Sequence, residues 1–389
     1  MNREQQFFLK VLSDYLNNRE SAAENINWEI LYEYSKQQQL QGIIYYQCNS
    51  YISDSYVNNE LKDAYNASIY SYMQRILIID HLTDQLFKDN IEFSLVKGYE
   101  VAKLFKKPYL RTMGDIDIII HSKDRDIVHS IMIKNGFSCY KNVGDEWYYD
   151  KNGFLFEVHD SMVHSHDGNE YLLGYFNNLW AHGKTVDKYF KLDWNFHFCY
   201  LIQHLSGHLL FTGVGLRQFI DIVVVAQNIE LDWLWIEKEL STLGLWEFTR
   251  ICLGFCQKWF DVCFPIEVAE VDALFFDTVT DKIFKDGVFG QYNQENKVIA
   301  PYVDSLIYKD RSIIASRLVK FKRQLFPPYE VMKDKPYCKF LKHNKLLLPL
   351  GWLFRGIYSL FSHKPRNQIQ LGTNEDIRKR VEMYKRWRL

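Results

Sequence analysis

The chain has 389 residues, 47% hydrophobic and 24% charged, with only 8 prolines and 19 glycines. That composition excludes a disordered, collagen-like or low-complexity chain and allows two or three domains. The formal net charge of −1 gives no reason to invoke a polyanionic partner, but it hides a split. Residues 317–389 carry 18 Lys+Arg against 5 Asp+Glu, leaving 29 against 43 in the residues before them. An acidic body carries a basic C-terminal stretch.

The N-terminal residues are polar and show no signal-peptide pattern, and no run reaches the roughly 18 apolar residues of a spanning helix. The nearest candidate, Leu346 to Phe361, is interrupted by Arg355 and flanked by Lys342, Lys345 and Lys364. It reads as a helix packed on a helical domain, with peripheral contact on an anionic membrane surface as the alternative. Seven scattered cysteines suit reduced thiols, and a cytoplasmic location is expected. Cys252 and Cys256 lie four apart in an apolar helical stretch and read as core.

Residues 1 to about 89 show helical spacing, as in Phe7, Phe8, Val11, Leu12 and Tyr15. The period then changes. Glu92 to Val96 reads as a strand ending at Lys97-Gly98, and Tyr99 to Phe105 as a short helix. Ile116 to Ile120 is an apolar strand, and Asp124 to Asn135 an amphipathic helix closed by Gly136. Phe137 to Tyr140, Trp147 to Asp150 and Phe154 to His159 are strands, the last two joined by the turn Lys151-Asn152-Gly153. Helical spacing returns in Phe196 to Leu210, Gly215 to Gln227, Trp233 to Leu240 and Phe248 to Phe260. The expected fold class is α+β: a small mixed sheet flanked by an N-terminal helical region and a larger C-terminal helical domain. The expected boundaries are 1–89, 90–165, 166–316 and a basic helical segment 317–389.

The informative segment runs from Arg111 through Gly114-Asp115-Ile116-Asp117. Two aspartates two apart on a strand point to one face. Such neighbours repel unless something positive stands between them, and a divalent metal such as Mg²⁺ meets that need. Glu157, in Phe156-Glu157-Val158, offers a third carboxylate on another strand. The bland alternatives are a turn-capping Asp115 and solvent-facing Asp117 and Glu157. Lys97-Gly98, between a strand and a helix, fits phosphate approach, although an exposed turn has the same pattern. Arg111 is a cation near the aspartates, able to hold a triphosphate or to pair with an aspartate.

Together these residues resemble the polymerase β-like nucleotidyltransferase superfamily, and more narrowly its bacterial branch of uncharacterised nucleotidyltransferases. The resemblance rests on Leu95-Val96-Lys97-Gly98, Arg111-x-x-Gly114-Asp115-Ile116-Asp117 and Phe156-Glu157-Val158-His159. It extends to His204-x-x-x-His208, Gly215-Leu216-Arg217-x-x-x-Asp221 and Phe326-Pro327-Pro328. It implies transfer of a nucleoside monophosphate from a nucleoside triphosphate to a hydroxyl, with release of pyrophosphate. It further implies two Mg²⁺ ions, with Mn²⁺ as the alternative, held by Asp115, Asp117 and Glu157. Lys97, Gly98, Arg111 and Gly114 would then bind the nucleotide. The wider superfamily places a serine after the glycine, whereas Tyr99 stands here, so Lys97 or Arg111 would have to substitute. The acceptor, whether small molecule, protein or RNA, is not implied.

His159, His204, His208, Arg217 and Asp221 are expected near the cleft. Arg217 and Asp221, four apart, also fit an ion pair along a helix. His164, His166, Asp160 and Asp167 read as a polar loop, or as a transition-metal site. Two competing functions remain: a nucleotide-binding regulator on the same fold, and a membrane-associated component of surface polysaccharide assembly.

Overall fold

The computed structural model describes residues 1–22, 25–143, 146–163, 170–288, 326, 329–332, 338, 340–341, 345–361 and 374–389. They form an α+β fold divided into two compact units. One comprises Met1–Leu209, Gly213–Asn293 and Trp387–Leu389, the other Leu210–Thr212 and Gln294–Arg386.

The first unit opens with four helices: α1 (Arg3–Leu16), α2 (Trp28–Gln38), α3 (Gln41–Cys48) and α4 (Ser55–Lys88). The start of α1 is set by a capping box, with Asn2 and Gln5 satisfying each other's backbone amides. Asp54 caps α4 by accepting from the Val57 amide.

Five strands follow: β1 (Phe93–Val96), β2 (Asp115–Ile120), β3 (Ser138–Val143), β4 (Glu146–Lys151) and β5 (Phe154–His159). Their order in the sheet is β1-β2-β5-β4-β3. Only β2 and β5 are parallel. The turn at Asn152-Gly153 has positive φ at both residues, 56° and 81°, as a primed hairpin turn requires. Between β1 and β2 lies a short helix, α5 (Gly98–Ala102). Between β2 and β3 lies α6 (Arg125–Lys134), after which Gly136 at φ 75° turns the chain into β3.

Alternation decides the two faces of the sheet. Leu95, Ile116, Ile118, Ile120, Phe156 and Val158 are buried on one face. They pack with Ile79, Leu82 and Leu86 of α4 and with Val128, Ile131 and Met132 of α6. The opposite face carries Asp115, Asp117, Glu157 and His159.

Beyond the sheet come α7 (Glu170–Asn177), α8 (Trp194–Phe211), α9 (Leu216–Asn228), α10 (Trp233–Thr242), α11 (Trp246–Phe260) and α12 (Ala273–Asp286). A second sheet, absent from the sequence expectation, pairs β6 (Gly183–Val186) with β7 (Tyr189–Leu192). Its turn carries Asp187 at φ 59°, without the Asn-Gly or Asp-Gly signature that marks such turns. Tyr189 of β7 stacks on Phe93 of β1 at 5.8 Å. Cys252 and Cys256 are buried, as expected of core thiols. The C-terminal Trp387 is fully buried within the first unit, against Phe248, Phe255 and Phe275.

In the second unit, Met332, Cys338 and Leu341 form a small core joined by Trp352 of the helix Leu348–Phe361. Leu346, Leu350, Leu353 and Phe354 are exposed. None of the described helices is long and apolar enough to cross a membrane. His164, His166, Asp167 and Pro327-Pro328, together with residues 317–325 of the basic stretch, lie outside the described residues.

Candidate active site

The register of β2 against β5 builds the site. Asp117 lies opposite Glu157 and Ile119 opposite His159, in a parallel pair. Residues directly opposite in a ladder share a face, so both carboxylates and the imidazole project to the same side. Ligand atoms of Asp117, Glu157 and His159 come within 4.8 Å of one another. Asp115, two residues before Asp117 on the same face, stands outside that group.

The electrostatics follow from crowding under partial burial. Asp117 is 4% exposed. Burial by itself would raise its pKa, but Lys97 and His159 outweigh burial and hold it well below the carboxylate range. Lys97 Nζ donates to Asp117 Oδ1 at 2.7 Å. His159 Nε2 lies 3.2 Å from the same oxygen and 3.4 Å from Glu157 Oε2. Burial disfavours protonated His159, yet its bonds to Asp117 and Glu157 push its pKa up to about 9. Asp115 has less help. Burial, then the charges of Asp117 and Glu157, push it up to about 6 against Lys97 and Arg111.

Lys97 sits in the turn between β1 and α5 with φ 52° and ψ −123°. This is backbone territory that favours glycine. Its amide donates to His197 Nε2 at 3.0 Å. His197 therefore accepts as a neutral imidazole, and burial, followed by Lys97, lowers its pKa to about 3. Trp194 stacks on His197 at 5.0 Å.

Spacing along α8 explains the rest of this wall. His197, Tyr200, His204 and His208 recur at intervals of three and four, one stripe of a helix. Lys97 Nζ lies 5.7 Å from the Tyr200 ring centroid. The His204 and His208 Nε2 atoms are 2.8 Å apart. Burial, with Lys97 next, lowers both pKa values, His208 to about 4.

Arg111 and Asp221 meet as a fork. Arg111 Nε donates to Asp221 Oδ1 at 3.1 Å and Nη2 to Oδ2 at 2.7 Å. This pair ties α9 to the loop before β2. Arg217, four residues before Asp221 and within reach of its charge, donates from Nη1 to Gln39 Oε1 at 2.9 Å and to the Thr112 carbonyl at 3.0 Å. Burial, then Arg111, lowers the Arg217 pKa to about 10. Arg75 of α4 donates to the Met113 carbonyl. Arg75 and Arg217 therefore hold the peptide that delivers Gly114 and Asp115.

Gly98 makes room for protein here. A Cβ at that position would fall 2.3 Å from Arg111 Nη1. Gly114 is exposed, and a Cβ there would meet nothing within 4 Å.

Residues 24–261 match the family of proteins described as uncharacterised nucleotidyltransferases. The chain belongs to this family. No curated protein and no solved structure matches it. The matched region contains every element of the acid face, from α4 through α9, and the family's name assigns nucleotidyl transfer as its chemistry.

Sequence reasoning did not single out Tyr200, Glu146, Tyr148 or Arg75 around this face. Tyr200 shares the stripe of His197, His204 and His208, a signal that was present. Glu146, opposite His159 in β4, and Tyr148, opposite Glu157, follow from alternation once the register is known. The Tyr148 hydroxyl donates to Glu146. Arg75 carried no local signal, because its partner is a backbone carbonyl 38 residues away.

Proposed function

We propose that this protein moves a nucleoside monophosphate from a nucleoside triphosphate to a hydroxyl acceptor, with release of pyrophosphate. The observation that carries the reading is the register that sets Asp115 and Asp117 on one face beside Glu157 of the next strand. Family membership supplies the chemistry, and the resemblance to the polymerase β-like superfamily supports the same assignment.

The donor set suits Mg²⁺, with Mn²⁺ as the alternative, because hard divalent ions prefer carboxylate oxygen. Asp117 and Glu157 would hold the ion, with Asp115 beside them. Bound there, it would neutralise charge on the phosphates and lower the pKa of a coordinated hydroxyl. The chain's own part is positioning and electrostatics. Asp117 is engaged by Lys97 and His159; Glu157 shares His159 at 3.4 Å, but its side chain is 21% exposed against 5% for Asp117. Glu157 is therefore the acid open to an acceptor hydroxyl and would take its proton. Lys97 and Arg111 are the cations nearest the acids from the β1–α5 side and would face the triphosphate.

The test is metal-dependent label transfer from α-labelled nucleoside triphosphates to a panel of small-molecule, protein and RNA acceptors. Asp115→Ala and Asp117→Ala should each abolish transfer. Wild-type levels in either variant refute the mechanism.

A second reading, a nucleotide-binding regulator without turnover, is favoured by one observation: Arg111 is already committed to Asp221. Metal-dependent nucleotide binding with no transfer to any acceptor would select it. Peripheral membrane contact through 346–361 rests on the exposed Leu346, Leu350, Leu353 and Phe354. Flotation with anionic liposomes checks it: a chain that stays at the bottom of the gradient rules it out.

A further inference from the structure

A cation is already seated at Asp117, and it belongs to the chain. Lys97 Nζ is 2.7 Å from Asp117 Oδ1, and His159 Nε2 is 3.2 Å from the same atom. The Lys97 side chain is 16% exposed and that of Asp117 5%, so water contributes little to their separation. Any divalent ion reaching both Asp117 and Glu157 enters the space these nitrogens border, since the ligand atoms lie within 4.8 Å of one another.

The backbone shows that lysine is not placed there by convenience. At φ 52° and ψ −123° a residue with a Cβ is strained, and glycine is the residue that fits. The turn is held in that conformation by the bond from the Lys97 amide to His197 Nε2 at 3.0 Å. Strain of this kind persists where the surroundings over-determine it, and it clusters at functional positions. What lysine supplies that glycine would not is the ammonium at Asp117.

We propose that Lys97 is a resident counter-ion of the acid cluster and competes with a divalent cation for Asp117. The inference rests on reading Asp117 and Glu157 as the metal-holding pair. Asp117 is then charge-compensated without metal, and an ion that enters must displace the ammonium. Metal affinity in the absence of nucleotide is set by Lys97 as well as by the acids.

The experiment is titration of Mn²⁺ into the full chain by calorimetry, without nucleotide, alongside thermal unfolding with and without Mn²⁺. Lys97→Met keeps most of the side-chain length and the strained backbone and removes the ammonium group. It should bind Mn²⁺ about ten-fold tighter than wild type or better, since an opposing charge beside the ligands is gone. Its Tm should also rise more on adding Mn²⁺. Lys97→Arg, which keeps the charge, should bind as weakly as wild type. If Lys97→Met does not fold, Lys97→Gly, which fits the turn without strain, carries the same expectation. Equal or weaker Mn²⁺ binding by the uncharged variants, including no binding by any form, overturns the proposal. Label transfer is not the readout, so the two readings can fail separately. Transfer by wild type with unchanged Mn²⁺ affinity in Lys97→Met sinks the counter-ion alone. Tighter Mn²⁺ binding by Lys97→Met with no transfer by wild type sinks the activity alone.

Discussion

The two faces of the five-stranded sheet are made by the same strands, one residue apart, and they are held by opposite means. On one face Ile116, Ile118, Phe156 and Val158 lose water and gain close packing, and each contributes on its own. On the other, Asp117, Glu157 and His159 lose water at a penalty, which is offset only when all the partners are present. The apolar face is tolerant in chemistry and strict in volume. The acid face is governed by charge, and the effect of each member, in size and in sign, depends on its partners.

The largest expected effect on stability comes from breaking the first face. Phe156 is fully buried, with Phe137 edge-on at 5.0 Å. Phe156→Ala should cost about 3–5 kcal/mol, read as a lower midpoint in urea unfolding. Its neighbour Glu157, changed to Gln, keeps its shape and one acceptor oxygen for His159 Nε2 while losing the charge. It should shift stability by no more than about 1 kcal/mol while removing label transfer. If Glu157→Gln unfolds the chain as Phe156→Ala does, the two faces do not differ in kind.

The next effect probes how the acid face is tied to the helices. Asp221 is engaged by two nitrogens of Arg111, with side chains 7% and 10% exposed. Asp221→Asn leaves that guanidinium short of its counter-charge, near Arg217. A loss of about 2–3 kcal/mol is expected, with faster amide hydrogen exchange at Thr112, Met113 and Gly114. Unchanged exchange there would mean that Arg75 and Arg217 hold the loop without this pair.

The apolar face could be read from the sequence because period two is a local signal. Ile116, Ile118 and Ile120 announce it within one strand, and Phe154, Phe156 and Val158 repeat it. Asp115 and Asp117 were legible as a pair for the same reason. The partners that make the pair tolerable were less so. Lys97 was visible as a residue, but its contact with Asp117 spans 20 positions and depends on a strained turn. Arg111 had two readings, the triphosphate or one of the two site aspartates, whereas the fold pairs it with Asp221, 110 positions away. The β6–β7 hairpin was hidden because its turn, around Asp187-Lys188, uses neither Asn-Gly nor Asp-Gly. Local patterns reveal periods, whereas charge compensation is a property of tertiary contact.

The smallest effect on stability separates the faces by sign. On the apolar face every truncation is destabilising, but on the acid face one neutralisation should stabilise. Burial and the charges of Asp117 and Glu157 raise the Asp115 pKa from 3.8 to about 6. An acid whose folded-state pKa exceeds its unfolded value supports folding fully below pH 3.8. That support is lost as the pH rises through about 6. Above that pH, ionised Asp115 works against the fold whenever no divalent ion is bound. Asp115→Asn removes the charge and keeps the shape. Its stability relative to wild type should therefore climb as pH rises from 4 to 7 and then level off. Linkage caps the gain at about 3 kcal/mol, and solvent reaching the half-buried Asp115 brings it nearer 1 kcal/mol. Mg²⁺ should reverse the order by stabilising wild type more than the variant. Thermal unfolding across that pH range, with and without Mg²⁺, reads both effects. A variant less stable than wild type at pH 7.5 without metal would show that repulsion among the acids does not govern this face. The compensation by Lys97 and His159 would then be sufficient for all three carboxylates.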